Sequence, residues 1–391
     1  MQKYLFVLGR NPELSIMETS SFLISNNYKY RIVSFNKQAA IIELETKNIQ
    51  EIQQKLGSIV KIGKILIETI FEKETFKKEL NKIDLIKQKK FFYAINNFST
   101  SHNIANYLKD YLKKRFKEEK TRAVLKHGKH EVFANPSQVL SWKLIESGTD
   151  FLVYTFEKKI FFAITITSSN PKELEQRDNG RPAQKPLQAV SIRLAKILVN
   201  LSKAKEGDTI LDPFCGIGTV LMEAMNSGKN AVGVDKDAEM IESAKKNLNW
   251  FRKQYNNSMN YKLALGDSSR LSSLVQKNEI DAVATEPYLG PLISILPSEE
   301  RTKKLVSELE RLYSSMFSEL GKILKKDSIV VIILPQLIAN SNKRFRVREQ
   351  VFYSHGFRNF HIIPELKEHN PYLYRDEESK IERLIYVLRK Q

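Results

Sequence analysis

The chain of 391 residues is 42% hydrophobic and 10% aromatic, which is enough for two or three domains with separate cores. Its single cysteine, Cys215, excludes an internal disulfide framework and a cysteine-cluster metal site, and we expect no metal. No apolar run is long enough to cross a bilayer, and the first residues lack the apolar stretch of a signal peptide. We therefore expect a cytoplasmic protein with no membrane partner.

The formal net charge of +18 favours a polyanionic partner such as a nucleic acid. The excess is concentrated in the first half: residues 1–186 carry 32 Lys and Arg against 20 Asp and Glu, whereas residues 187–391 carry 31 against 25. A Lys-rich composition without functional meaning is the alternative explanation. The uneven distribution favours a nucleic-acid-binding N-terminal half.

Residues 1–85 are predicted to form a small α/β unit. Asn11 and Pro12 suit the start of a helix, because Asn caps helices and Pro is tolerated in the first turn. We predict helices at 12–26 and 48–56, and strands at 3–9, 31–35, 39–44 and 59–70. No residue of this unit is a candidate for catalysis.

Residues 88–167 are predicted to form a second α/β unit, with a basic amphipathic helix at 103–120. We also predict a strand at 91–95, a helix at 136–147 and a hairpin of strands 151–156 and 160–167. The helix and the segment after it supply these candidate nucleic-acid-binding cations: Lys109, Lys113, Lys114, Arg115, Lys117, Arg122 and Lys126, continued by His127, Lys129 and His130. An ordinary solvated helix with surface lysines is the alternative.

Residues 168–186 are polar, contain three prolines and show no apolar periodicity, which predicts an interdomain linker. Strands and helices alternate from residue 187 to 391, as is typical of a mostly parallel, doubly wound sheet with helices on both faces. The predicted helices are 187–201, 218–227, 237–252 and 299–325, and the predicted strands are 208–212, 230–234, 261–265, 280–285, 328–334, 357–364 and 381–388.

A glycine turn follows the first strand of this second half and is the most informative motif. The strand ends at Asp212, and Gly216 and Gly218 permit backbone dihedrals that bring a ligand close to the start of the next helix. The third glycine of a dinucleotide fingerprint is missing, which argues against a pyrophosphate cofactor. The candidate cofactor-binding residues of this turn are Asp212, Pro213, Phe214, Gly216, Gly218 and Thr219.

Acidic residues follow the next two predicted strands. Asp235 is placed to accept hydrogen bonds from a ribose diol, and Asp267, followed by Ser268, to accept one from an adenine amino group. For each aspartate alone, a helix cap or a loop residue is the alternative explanation. Three in register after successive strands favour a nucleoside-containing cofactor, with Asp235, Asp267 and Ser268 among its ligands.

The stretch Glu286-Pro287-Tyr288 after the fourth strand resembles the Asp/Asn-Pro-Pro-aromatic motif of the class I amino-methyltransferases. In that motif an acidic or amide oxygen accepts a hydrogen bond from an exocyclic amino group, and the aromatic ring stacks on the base. The resemblance implies that Glu286, Pro287 and Tyr288 are catalytic. This chain departs from the motif, because Glu replaces Asp. Aligned without a gap, Tyr288 takes the place of the second proline and Leu289 that of the aromatic residue, whereas deleting one proline keeps Tyr288 as the stacking ring.

Further stretches are similar to the THUMP-containing tRNA guanosine N2-methyltransferases, which methylate guanosine 10 of tRNA. They are Tyr4–Ser15, Arg177–Pro182 and the glycine turn 211–219. The resemblance implies a ferredoxin-like domain at 1–85, a THUMP domain at 88–167, a linker at 168–186 and a class I, Rossmann-like methyltransferase domain at 187–391. It also implies S-adenosyl-L-methionine as cofactor, tRNA as partner, and an RNA-binding role for the cations of the second unit.

The sequence leaves several alternatives open. The methyl acceptor is predicted to be the N2 amino group of a tRNA guanosine, with a base of ribosomal RNA or DNA as the alternative. A third hypothesis is an RNA-binding protein with a degenerate methyltransferase domain, which the departures at Glu286–Leu289 motivate. The number of methyl groups added, a small activating subunit and the oligomeric state stay open.

Overall fold

The computed structural model describes residues 1–86, 88–99, 103–126, 134–184, 190–365, 370–374 and 380–391. His127, Lys129 and His130, the last two residues of the predicted linker and the first three of the predicted helix 187–201 lie outside these ranges. The chain forms two compact units, one of residues 1–16 and 27–173, the other of residues 17–26 and 174–391.

Strands of the first unit join into a single sheet. They are β1 (Gln2–Leu8), β2 (Tyr30–Phe35), β3 (Ala39–Leu44), β4 (Ile59–Ile70), β5 (Lys90–Asn97), β6 (Arg122–Leu125), β7 (Thr149–Phe156) and β8 (Lys159–Ser168). Their order is β2-β3-β1-β4-β8-β7-β5-β6. Residues 61–70 of β4 pair antiparallel with β8, so the two predicted N-terminal units share hydrogen bonds across their predicted boundary.

Helices of the first unit include the predicted basic helix. They are α1 (Pro12–Ser25, whose residues from 17 onward belong to the second unit), α2 (Ile49–Lys55), α3 (Lys73–Asn81), α4 (Asn103–Glu118) and α5 (Pro136–Ser141). Helix α4 buries Ile104, Leu108, Leu112 and Phe116 at a spacing of four residues. This stripe confirms the predicted amphipathic helix. Helix α5 ends six residues before its predicted end, and α3 and β6 were not predicted.

Strands of the second unit form the doubly wound sheet that their alternation with helices predicts. They are β9 (Thr209–Asp212), β10 (Asn230–Asp235), β11 (Tyr261–Leu265), β12 (Ala282–Thr285), β13 (Ile329–Ile338), β14 (Arg344–Arg346), β15 (Phe357–Asn359), β16 (Tyr372–Tyr374) and β17 (Ile381–Lys390). The main order is β11-β10-β9-β12-β13-β17-β15, with β9 to β13 parallel and β17 antiparallel to β13.

Helices cover this sheet. They are α6 (Pro171–Asn179), α7 (Ile192–Leu201), α8 (Thr219–Asn226), α9 (Ala238–Gln254), α10 (Leu271–Leu274), α11 (Glu299–Ile323) and α12 (Gln350–Tyr353), with a 3-10 turn at Ser268–Arg270. No helix in the described ranges is long and apolar enough to span a membrane.

The segment predicted as a linker contains helix α6. Its last turn carries Arg177, whose side chain is 1% exposed and pairs with Glu223 of α8 at 2.9 Å. This buried ion pair attaches the segment to α8, and an ion pair leaves no apolar stripe in the sequence. Sequence periodicity does not detect this kind of attachment.

Candidate active site

The carboxyl ends of the parallel strands meet at one edge of the second unit's sheet. Strands β9 and β12 are neighbours at its centre, and from them the chain proceeds outward in opposite directions, to β10 and to β13. In open α/β sheets ligands bind at such a switch point. Asp212 ends β9, Asp235 ends β10 and Glu286 directly follows β12, so the predicted site residues lie at the expected edge.

The glycine turn has the backbone that its sequence predicts. Gly216 and Gly218 have φ angles of +50° and +85°, a region that favours glycine, and Gly218 is the N-cap of α8. A Cβ added to Gly216 would have no heavy atom within 4 Å, whereas one on Gly218 would lie 3.3 Å from the Cβ of Ala244. The open space is therefore above Gly216, where a ligand can approach the backbone.

Asp212 holds the turn against the fourth strand. Its Oδ1 accepts hydrogen bonds from the Thr285 hydroxyl at 2.6 Å and from the Phe214 amide at 3.1 Å. The side chain is buried, and burial raises the pKa of Asp212 from 3.8 to about 7. Asp212 thus acts first as an internal link between β9 and β12. Pro213 beside it is buried, and Phe214 packs against the core.

Asp235 joins the second strand to the glycine turn. Its Oδ2 accepts a hydrogen bond from the Gly216 amide at 2.9 Å, and its Oδ1 accepts one from the Asp237 amide at 3.0 Å. A carboxylate has about four acceptor positions, so two hydrogen bonds leave capacity for a hydroxyl pair. Because the carboxylate is anchored beside the open space at Gly216, it suits the predicted ribose contact.

Asp267 and Ser268 form the start of the 3-10 turn after β11. The Oδ1 of Asp267 accepts a hydrogen bond from the Ser269 amide at 2.8 Å, and this contact lowers the pKa of Asp267. Asp267 is exposed and Ser268 is buried. The capping role that the sequence left as an alternative is therefore present, and the adenine contact stays a prediction.

Thr219 uses its hydroxyl within the protein. The hydroxyl accepts a hydrogen bond from Nη1 of Arg181 at 2.7 Å, and Nη2 of Arg181 donates to Asp178 at 2.7 Å. Arg181 is 6% exposed, and burial lowers its pKa. Thr219 thus anchors the segment before the sheet, and its cofactor contact also stays a prediction. Sequence reasoning assigned no role to the Arg181 side chain.

Glu286 forms an ion pair that sequence reasoning missed. Nε of Arg383 on β17 donates to Oε1 of Glu286 at 2.6 Å. The Arg383 side chain is 22% exposed and the Glu286 side chain is 10% exposed. The two residues are 97 positions apart, so only the strand order brings them together. The carboxylate is held at the carboxyl edge of β12 rather than left to rotate in solvent.

Tyr288 follows two residues after Glu286 and has an exposed side chain. The side chain is 55% exposed, while its backbone carbonyl accepts a hydrogen bond from the buried Tyr313 hydroxyl of α11 at 2.7 Å. Pro287 between them is buried. A fixed backbone with a free ring suits stacking on a flat ligand, and an adjacent carboxylate suits an amino group. Sequence reasoning also missed Tyr313.

The predicted RNA-binding cations fall into two groups. Lys109, Lys113 and Lys117 are exposed along one face of α4, and Lys114 and Arg122 are exposed as well. Arg115 is bound within the protein, because it donates to the Leu80 and Ile83 carbonyls and to Glu119. Lys126 lies over the Phe92 ring at 4.4 Å. These internal contacts favour a structural role for Arg115, and the RNA contacts of the other cations stay predictions.

Comparisons with known proteins find methyltransferases. The DNA methylase family matches residues 13–246, and the RMKL-like methyltransferase domain matches residues 179–351. The chain has the same fold as TrmN from Thermus thermophilus, with a TM-score of 0.57, 12% identity and complete coverage of both chains. That likeness covers both halves of the chain.

Curated relatives are more similar in sequence over shorter stretches. The tRNA (guanine(10)-N2)-dimethyltransferase of Methanothermobacter thermautotrophicus is 34% identical over 38% of this chain and 42% of its own length. That of Pyrococcus abyssi is 31% identical over 47% of this chain and 53% of its own length. A protein named a probable tRNA (guanine(10)-N2)-dimethyltransferase from Methanothermococcus thermolithotrophicus is 33% identical over 36% of this chain and 77% of its own length.

The chain thus spans about half the length of the first two curated relatives and more than two thirds of the third. The DNA methylase match covers more than half of the chain. With the sheet order, the glycine turn and the acidic residue after β12, these matches show that the chain belongs to the methyltransferase family that includes the DNA methylases and the tRNA (guanine(10)-N2)-dimethyltransferases.

Proposed function

We propose that the chain transfers the methyl group of S-adenosyl-L-methionine to the exocyclic N2 amino group of a guanosine in tRNA. The observation that carries this proposal is the Glu286 carboxylate, held by Arg383 two residues before the exposed Tyr288, at the sheet edge that also bears the glycine turn. The names of the curated relatives support guanosine 10 as the target. We place the protein in the cytoplasm, where tRNA would be available.

The residues present fit this cofactor. The open space above Gly216 admits a ligand to the turn, and Asp235 has acceptor capacity for the ribose hydroxyls. The other residues of the predicted cofactor site are Asp212, Pro213, Phe214, Gly218, Thr219, Asp267 and Ser268. When bound, S-adenosyl-L-methionine supplies an electrophilic methyl group on a sulfonium. The protein's task is then mainly to orient the acceptor.

Glu286, Pro287 and Tyr288 would orient the acceptor base. The carboxylate accepts a hydrogen bond from the amino group, and the Tyr288 ring stacks on the base, so the nitrogen lone pair is directed at the methyl group. As the nitrogen gains a methyl group it loses a proton, for which the Glu286 side chain is the nearest acceptor in the proposed arrangement. A guanine stacked in an RNA helix has to leave its stack to reach this site.

We assign RNA capture to the first unit, with a ferredoxin-like domain at residues 1–85 and a THUMP domain at 88–167. The net charge of the N-terminal half and the exposed lysines of α4 support this assignment. Contact with folded RNA of this kind is mostly to phosphates and to helix shape. The methyltransferase domain then follows at residues 187–391.

Neutralising three exposed lysines of α4 is expected to weaken tRNA binding. Changing Lys113, Lys114 and Lys117 to Gln removes up to three phosphate contacts and should lower the salt slope of log Kd by about 2 to 3. Fluorescence anisotropy with labelled tRNA at several salt concentrations measures the Kd for tRNA and its salt slope.

The matched control changes Lys29, Lys37 and Lys47, which are exposed near β2 and β3 at the opposite edge of the same sheet. The control should keep both affinity and salt slope. Equal losses in the two triple variants would show that total charge, rather than the α4 face, determines binding.

Asp235→Ala is expected to weaken binding of S-adenosyl-L-methionine by about 1–3 kcal/mol, the usual cost of losing charge-assisted hydrogen bonds. Isothermal titration calorimetry measures this loss. Asp237→Ala removes a neighbouring carboxylate that caps α9, and it should leave the affinity nearly unchanged. An unchanged affinity in Asp235→Ala would remove this residue from the cofactor site.

Incubation of the protein with labelled S-adenosyl-L-methionine and unmodified tRNA tests the reaction itself. Digestion to nucleosides should release labelled N2-methylguanosine or N2,N2-dimethylguanosine, and the ratio reports how many methyl groups are added. Bound cofactor without either product would refute the proposal and favour the degenerate-domain hypothesis.

DNA is a second candidate substrate, which the DNA methylase match favours. The same assay with duplex DNA distinguishes it, because adenine N6 or cytosine N4 methylation would then replace the guanosine products. We expect no label in DNA.

A further inference from the structure

The ion pair between Glu286 and Arg383 lies where the methyl acceptor would bind. In the sheet, Thr285 at the end of β12 pairs with Ile332 of β13, and Arg383 of β17 pairs with Pro335 of the same strand. Arg383 therefore sits at the carboxyl edge and reaches past β13 to the residue that follows β12. The strand order delivers a guanidinium to the proposed acceptor carboxylate.

This chain needs such a partner because its acidic residue is a glutamate. Glutamate has one more methylene and one more rotatable bond than the aspartate of the amino-methyltransferase motif, so its carboxylate is less well fixed by the backbone. Nε of Arg383 holds Oε1 at 2.6 Å. Within the described part of the chain no hydrogen bond to Oε2 is found, so this oxygen is available to an amino group.

We propose that Arg383 is a positioning residue: it holds the Glu286 carboxylate so that Oε2 faces the amino group of the acceptor base. The inference rests on the proposed function, because it names a further residue for the same site. Arginine suits the role because its donors are planar and fixed relative to one another. A nearby positive charge that made no hydrogen bond would neutralise the Glu286 carboxylate without fixing the direction in which Oε2 points.

The first test compares Arg383→Met and Arg383→Lys in the whole protein. We expect Arg383→Met to lower kcat for tRNA by about 10- to 100-fold, in the range of losing one positioning contact. The KM for tRNA and the Kd for S-adenosyl-L-methionine should change less than twofold, because Arg383 contacts neither. Arg383→Lys should recover part of kcat. A loss confined to KM or Kd would overturn the proposal.

Arg389→Met is the matched control. Arg389 lies at the other end of β17, where its guanidinium covers the Phe360 ring at 4.1 Å. Arg389 is an arginine on the same strand as Arg383, but the contact described for it is with Phe360 and not with Glu286. We expect wild-type kcat for this variant. Equal losses in the two methionine variants would overturn the proposal, because the effect would then not depend on the contact with Glu286.

A double-variant cycle separates positioning from fold support. In a Glu286→Asp background the side chain is one methylene shorter, so the backbone fixes its carboxylate more closely. Adding Arg383→Met to this variant should therefore lower kcat by less than a further threefold. A role confined to stability would give the same loss in both backgrounds. Equal losses would therefore overturn the proposal.

NMR of the Arg383 Nε–H group tests the ion pair without relying on catalysis. The signal should be absent in Arg383→Lys, and its exchange with water should speed up in Glu286→Ala. Unchanged exchange would overturn the proposal. If the wild-type chain methylates no tRNA, the proposed function fails, and this measurement still decides whether Arg383 holds Glu286.

Discussion

Glu286→Ala is expected to lower the rate of tRNA methylation by about 1,000-fold while S-adenosyl-L-methionine still binds with near wild-type affinity. The proposed partner of the carboxylate is the acceptor base, so its loss removes orientation and charge stabilisation at the reacting nitrogen. Single-turnover transfer of labelled methyl groups to tRNA measures the chemical step. Calorimetry with S-adenosylhomocysteine measures the cofactor site separately.

The control for this experiment is Glu300→Ala, which removes an exposed glutamate from the first turn of α11. It should retain the wild-type rate. Because Glu286→Ala also removes the ion pair between Glu286 and Arg383, the unfolding midpoint of each variant has to be compared with the wild type. A folded Glu286→Ala protein with normal turnover would exclude the carboxylate from catalysis.

Stability is expected to fall between about pH 4 and pH 7 because of Asp212. The unfolded chain releases the proton of this carboxyl near its ordinary pKa of 3.8, and the folded chain releases it near pH 7. Between these values the unfolded state binds fewer protons, so the free energy of unfolding decreases as pH rises. A shift of this size corresponds to a loss of roughly 4 kcal/mol across the window.

Asp212→Asn should remove this component, because Asn has no titrating proton and its oxygen still accepts from Thr285 and Phe214. Denaturant unfolding from pH 4.5 to 8 measures this component. The free energy of unfolding of the wild type should fall relative to that of Asp212→Asn as pH rises, and the difference should become constant above about pH 7. Asp267→Asn is the contrast: the pKa of Asp267 is lowered, so its stabilisation is lost only as pH falls below about 4. Parallel pH profiles for wild type and Asp212→Asn would show that Asp212 does not titrate in this window.

Strand and helix positions were predictable where short-range patterns determine them. Strands β3 and β4 begin and end where the sequence predicts, and α4 buries the predicted apolar stripe. Helix α6 was not predicted, because Arg177 attaches it through a buried ion pair with Glu223. The short strands β6, β14 and β16 have too few residues to show a two-residue periodicity, and they exist because a neighbouring strand offers hydrogen bonds.

By itself, the sequence determined the glycine turn, the acidic residues after successive strands and the resemblance at Glu286, because each depends on residues close together in the chain. Only the tertiary structure decided which donors these side chains meet. It bonds Asp212 to the Thr285 hydroxyl, Arg115 to the Leu80 and Ile83 carbonyls, and Arg383 to the Glu286 carboxylate. The first and third contacts depend on strand order and the second on the packing of α4 beside α3. All three link residues tens to nearly a hundred positions apart and leave no periodic signal in the sequence.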